Sequence, residues 1–214
     1  HMLEVGIPPK KILMITFTKA AAQEMSVKFK KKFGEPNGIT FSTIHALCLK
    51  ILMTYGGLSA ENIIKTSDQW KFLLETARKC QSVCDPAKAA GNFQMLYSAA
   101  MNNRMSPSEV NPKDIKGISR KDFLFMSDEY RRMKERTGYI DFDDMLVKAY
   151  ELMTGNPQVL RQLRERWDYI QVDEYQDVNY LQRDLVYLLA GEKKNLCVAG
   201  DDDQSIYKFP WRHN

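Results

Sequence analysis

Apolar positions along the chain follow two periods. Short, β-branched runs bounded by polar residues predict strands at "KKILMITF" (10–17), "GITFST" (38–43), "YIQVDE" (169–174) and "NLCVAGDDDQ" (195–204). Helical spacing governs "TKAAAQEMSVKFKKKF" (18–33), stopped by Gly34 and Pro36, and "IHALCLKILMTYGG" (44–57), ended by a glycine pair. It returns in "NYLQRDLVYLLAG" (179–191). Strands separated by helices predict an α/β fold with a parallel sheet and right-handed crossovers.

Between about 58 and 137 the pattern changes. "SDQWKFLLETARKC", "PAKAAGNFQMLYSAAMNN" and "SRKDFLFMSDEYRRMKERTG" are helical segments divided by Asp-Pro, Ser-Pro and Asn-Pro breakers, and no strand pattern intervenes. The expected organisation is therefore a first α/β part over 1–57, an all-α insertion over 58–137 and a second α/β part over 138–214. The second part opens on "DFDDMLVKAYELMTG", with Asp141 as N-cap, and "NPQVLRQLRERW", with Asn156 as cap and Pro157 at the first helical position.

Composition excludes some classes. Of the 214 residues, 44% are hydrophobic and 27% charged, the balance of a globular protein. No apolar run approaches the ~18 residues of a membrane span, and no secretory leader is recognisable, so a cytoplasmic location without a membrane partner is expected. His1-Met2 reads as a cloning remnant. Cys48, Cys80, Cys84 and Cys197 form no CxxC pair and read as reduced thiols; Cys80 and Cys84 share a face if their segment is helical. The net charge of +4 is uneven: residues 1–56 carry +5, 57–137 carry +4 and 138–214 carry −5. A basic front suits a polyanion and an acidic end a divalent cation, although solvated surface charge accounts for the same numbers. The "KFKKK" cluster (28–32) reads as a solvated helix face, and Trp70 and Trp167 as core residues.

The chemistry lies at strand ends. Ligands of parallel sheets gather at the carboxyl ends of strands, and three such ends carry polar clusters: Thr16-Phe17-Thr18, Asp173-Glu174 and Gly200-Asp201. A hydrophobic strand ending in Asp-Glu is the arrangement in which nucleotide hydrolases hold Mg²⁺ on the first acid and orient a water with the second. The dipeptide alone equally suits two acids at the N-terminus of the next helix.

The longer strings are more specific. "VDEYQD" followed by "VAGDDDQSIYKF" resembles motifs II and III of superfamily 1 DNA helicases of the UvrD/Rep/PcrA type. "ITFTKAAAQEM" and "ITFSTIHALCLKIL" resemble that family's early DNA-facing motifs, and "IDFDDML" the segment re-entering the motor domain after its helical insertion. All five stand in the family's order. The resemblance implies a RecA-like first motor domain of P-loop NTPase type, ATP and Mg²⁺ as cofactors, and single-stranded DNA as partner, with 3′ to 5′ movement. By the same match, Asp173 serves Mg²⁺, Glu174 is the catalytic base, Gln204 senses the γ-phosphate and Asp201 stands close by. Tyr207 and Phe209 offer faces to bases. Phe17, Thr18 and Lys19 contact a base and the backbone, and Thr43 and His45 do similar backbone work. Taken singly, the aromatics and His45 read as interior residues; the motif context reverses this for Phe17, Tyr207 and His45.

The sequence departs from the family in three places. No GxxxxGK[ST] string occurs, which implies a truncated chain, inactive without the remaining helicase domains, or a protein that has lost the loop. Lys19-Ala20 replaces the usual Asn-Lys pair. Pro210 stands where an arginine is expected and leaves the role of Phe209 open. A non-catalytic nucleic-acid-binding module is the alternative; a purely helical interaction protein does not account for the strand-end clusters.

Overall fold

The computed structural model describes residues 2–34, 38–111, 113, 115 and 117–201. Two compact units emerge, one from the described residues of 1–56 and 148–201, the other from those of 57–147.

The first unit is built on a parallel four-stranded sheet. β1 (Ile12–Thr16) is central and pairs with β2 (Thr40–Thr43) on one side and β3 (Tyr169–Val172) on the other; β4 (Leu196–Val198) pairs with β3, giving the order β2-β1-β3-β4. The registers Thr16↔Thr43, Ile15↔Val172 and Val172↔Val198 bring all four carboxyl ends to one edge. Ile12, Leu13, Ile15, Ile170 and Val172 are buried, as expected of strands covered on both faces. β4 is shorter than its predicted run, and Val198 is 46% exposed.

Helices α1 (Lys19–Phe33) and α2 (Ile44–Tyr55) follow β1 and β2 directly, and α8 (Tyr180–Ala190) follows β3. Each start has a side-chain cap: Thr18 for α1, Thr43 for α2 and Asn179 for α8, the last in a reciprocal capping box with Gln182. α7 (Pro157–Arg166) begins as expected, with Asn156 accepting from Val159 N and Pro157 at the first position. Trp167 is buried and donates through Nε1 to Thr40 Oγ1 at 3.2 Å.

The second unit is helical: α3 (Thr66–Ala77), α4 (Pro86–Asn102), α5 (Arg120–Thr137) and the start of α6 (Phe142–Gly155), inside which the division falls. Phe93, Phe123, Met126 and Tyr130 form the centre of its core, with exposures of 1% or less. Gly138, at φ 71° and ψ 11°, ends α5 in the left-handed region where a side chain would be strained.

Beside this core lies a buried ionic cluster. Lys134 Nζ bonds Asp141 Oδ2 at 3.0 Å and Asp144 Oδ2 at 2.8 Å, and sits 4.4 Å from the Tyr130 ring centroid. Tyr130 donates its hydroxyl to Asp141 Oδ2 at 2.8 Å and accepts from Gln69 Nε2 at 2.8 Å. Asp141 and Asp144 also exchange side-chain-to-backbone bonds as the capping box of α6. Burial pushes the Lys134 ammonium down, but the carboxylates, Asp141 foremost, outweigh it and hold its pKa above the ordinary lysine value. Burial and the charge of Asp141 raise Asp144.

Two expectations are corrected. Cys80 and Cys84 share no helix face: α3 ends at Ala77, and both lie in the connection before Asp85 caps α4, Cys80 buried and Cys84 exposed. Trp70 is not core but 39% exposed. It sits on the face of Leu73 and Ala77, but in the opening turns of α3, where only part of the indole is covered. Among the described residues no helix is long and apolar enough to cross a membrane.

Candidate functional site

The strand order fixes where a ligand can approach. From β1 the chain crosses to β2 on one side; from β3 it crosses to β4 on the other. Diverging connections open a crevice at the carboxyl ends of the two middle strands. Thr16-Phe17-Thr18 lies on one side of this switch point and Asp173-Glu174 on the other, tied together by Asp173 N donating to Ile15 O at 2.9 Å.

On the β1 side, Thr16 is buried and donates its hydroxyl to Thr18 O at 3.0 Å. Thr18 Oγ1 accepts from Ala21 N at 3.1 Å, so its oxygen is committed to capping α1. Its own O–H still has a proton to give, at a helix terminus that favours anions. Phe17 is 47% exposed and Lys19 is exposed. Thr43 is a cap of the same kind, accepting from Ala46 N at 3.2 Å. His45, in the first turn of α2, is half-buried, and burial lowers its pKa, which favours neutral imidazole at pH 7.

On the β3 side, Asp173 is half-buried and Glu174 exposed. Glu174 has φ 55° and ψ 43°, a left-handed conformation that costs a non-glycine residue about 1 kcal/mol or more. The turn is held by backbone bonds: Ala199 N donates to Val172 O at 2.8 Å and Tyr175 N to Ala199 O at 2.9 Å, so the exit of β3 is stitched to the exit of β4.

A residue that the sequence reading passed over completes this turn. Gln176 Nε2 donates to Glu174 Oε2 at 2.6 Å, and Gln176 Oε1 accepts from Asp201 N at 3.1 Å. Its signal was an amide, donor and acceptor in one group, set among acids in "DEYQD". Asp201 is exposed beyond β4. Gln204, Tyr207 and Phe209 lie outside the described residues.

The donors available for a metal are hard carboxylate oxygens on a rigid strand end, the set that suits Mg²⁺, which keeps several waters and takes one or two carboxylates beside substrate phosphates. Asp173 is the half-buried carboxylate of the set. Among the described residues no cluster of three or more His, Cys, Asp or Glu side chains could enclose a metal. A water-rich ion shared with a phosphate is compatible with that.

Comparison with known proteins identifies the family. The family model of the UvrD/REP helicase N-terminal domain matches residues 1–212. YjcD of Bacillus subtilis (strain 168) is 34% identical over 218 residues, covering 98% of this chain and 28% of that protein. ATP-dependent DNA helicase PcrA of Staphylococcus aureus (strain Mu50) is 33% identical over 214 residues, covering 98% and 29%, and PcrA of Staphylococcus epidermidis is equally similar over the same span. The chain thus spans under a third of the length of these relatives.

Proposed function

The chain belongs to the UvrD/REP helicase N-terminal domain family, and from that premise we propose that it works within the first motor domain of a DNA helicase that hydrolyses Mg-ATP to move 3′ to 5′ along single-stranded DNA. The observation that carries this reading is the gathering of Asp173 and Glu174 opposite Phe17 and Thr18 at the β1–β3 switch point. A module needing only to bind DNA gains nothing from carboxylates there, because they repel phosphate.

In this reading Asp173 is the residue that would hold Mg²⁺. The ion, when bound, neutralises charge on the nucleotide phosphates. Glu174, exposed at the end of a rigid strand, accepts the proton of the attacking water. The Thr18 hydroxyl and the N-terminus of α1 receive a DNA phosphate, Lys19 adds positive charge, and Thr43 and His45 contact the backbone from α2. Phe17 stacks on a base, and Tyr207 and Phe209 do the same. Gln204 senses the γ-phosphate. Base stacking contributes about 1–3 kcal/mol per base with little sequence preference, which suits a motor that must pass every sequence. The 214 residues hold no GxxxxGK[ST] phosphate-binding loop, which the resemblance places just before β1, so this chain alone should hydrolyse ATP negligibly.

The test is ATP hydrolysis by the full-length parent protein with and without single-stranded DNA. DNA-stimulated hydrolysis that falls about 100-fold or more in Glu174→Gln is expected. Hydrolysis unaffected by that substitution removes the base assignment. DNA binding without any hydrolysis in the parent protein favours the binding-module alternative.

A further inference from the structure

We propose that Gln176 is a positioning residue that holds the base Glu174 to the segment after β4, so that the position of that segment sets the aim of the carboxylate. This rests on the reading of Glu174 given above. Three features of the described residues and one of the sequence meet at this amide.

First, the amide bridges two groups that fix its orientation. A carboxylate can only accept and the Asp201 N–H can only donate, so Nε2 must face Glu174 and Oε1 must face Asp201, as found. A flipped amide would lose both bonds.

Second, Glu174 is in a strained backbone conformation. A left-handed residue at a strand end throws its side chain off the path an extended residue would give it, and the surrounding turn must hold it there. The bond from Gln176 engages Oε2 and leaves Oε1 outside that contact, so the carboxylate is offered one-sided to a water.

Third, Gly200 fits the amide closely. A Cβ at Gly200 would lie 2.5 Å from Gln176 Oε1 and 3.2 Å from Tyr175 N. A side chain at position 200 would therefore displace the amide from its place beside the backbone after β4.

Fourth, Asp201 opens the stretch "DDDQSIYKF", which carries Gln204, Tyr207 and Phe209. A displacement of Asp201 acts on its N–H, and the amide passes it to Glu174 through two hydrogen bonds and one planar group. The predicted consequence is that occupancy of the DNA-facing segment changes how well the base is aimed. That supplies a physical route by which single-stranded DNA accelerates hydrolysis.

The experiment uses the full-length parent protein and compares wild type, Gln176→Ala, Gln176→Glu, Gly200→Ala and Glu174→Gln. Steady-state hydrolysis is measured with and without oligo-dT. Gln176→Ala removes both bonds; Gln176→Glu keeps an acceptor for Asp201 but sets a second carboxylate against Glu174. Gly200→Ala forces the amide aside while leaving Gln176 in place. All three should lower the DNA-stimulated kcat about 10- to 100-fold while KM for ATP stays within about 3-fold. The ratio of stimulated to basal rate should fall with it. A residue that only stabilised the fold would lower both rates together through loss of folded protein, which circular dichroism melting detects. Should Gln176→Ala fold poorly, Gly200→Ala and Gln176→Glu carry the decision. Unchanged kcat and stimulation in folded variants, with Glu174→Gln inactive, overturn the positioning role alone. Activity retained in Glu174→Gln overturns the reading beneath it.

Discussion

Replacing Lys134 by methionine tests how the helical unit is held together. The side chains have similar length, so packing against Tyr97 and Tyr130 is largely kept while the charge is removed. Four groups lose their cation: Asp141, Asp144 and the rings of Tyr97 and Tyr130. Asp141 is 3% exposed at its side chain and Asp144 14%, and both bond Nζ at 3.0 Å or less. The Tyr130 ring also loses the ammonium over its face. Breaking a buried pair by removing one partner costs about 3–5 kcal/mol. Here Asp141 keeps the Tyr130 hydroxyl and the Asp144 N–H, and Asp144 keeps the Asp141 N–H. The lower end of the range, about 3 kcal/mol, is therefore expected. The loss also acquires a pH dependence. Without the ammonium both carboxylates are destabilised as anions, so their folded pKa values rise above the unfolded ones. The folded state then binds more protons, and stability falls as pH rises through that interval. The deficit should be larger at pH 8 than at pH 5. Native-state hydrogen exchange of peptides from α5 and α6, with sheet peptides as internal reference, reads this locally. A deficit below about 1 kcal/mol that does not change with pH would refute the reasoning. It would mean that water, not Lys134, satisfies those carboxylates.

Other outcomes follow from the same structure. Asp143 is held up at about 6 by burial and by the charge of Asp141, against hydrogen bonds from Ser98 and Asn102. Its contribution to stability is therefore present below pH 4 and lost as pH rises towards 6; Asp143→Asn should flatten that slope, which urea unfolding across the interval checks. Cys48 and Cys80 are buried and their thiols pushed up to about 12 and about 11, first by burial, whereas Cys84 and Cys197 are exposed. An aromatic disulfide reagent at pH 8 should label two thiols quickly and two only on unfolding; four equal rates would contradict the burial. Phe17→Ala should weaken oligo-dT binding by the parent protein about 5- to 100-fold, consistent with loss of one stacked base, and leave the melting temperature nearly unchanged. An unaltered Kd in an anisotropy titration would return Phe17 to the class of incidental surface aromatics.

Much of the framework was legible in the chain because local rules and tertiary demands coincide there. "ILMIT" and "YIQV" are apolar because a parallel sheet is covered on both faces, and the same runs announce it. Asp141 and Asn156 cap helices through their own side chains, a local interaction that spacing announced. The carboxylates of Asp173 and Glu174 stood out because a strand places its last residues at a sheet edge whatever else the protein does. Other features depended on residues far apart in sequence. Nothing near Lys134 announced that it would be buried, since its carboxylate partners come from beyond Gly138 and its neighbour Tyr97 from another helix. Trp70 and the pair Cys80 and Cys84 were misjudged because coverage and helix length depend on neighbours that periodicity cannot supply. Gln176 lay in plain view beside Glu174. Its meaning required Asp201, 25 residues further on, and a glycine at 200 that lets a backbone N–H come within 3.1 Å of an amide oxygen. The sequence by itself determined which segments are strands and helices and where acids end a strand. Only the tertiary structure decided which strand end is stitched to which, because the hydrogen bonds that orient a side chain are made by whatever the sheet order brings alongside it.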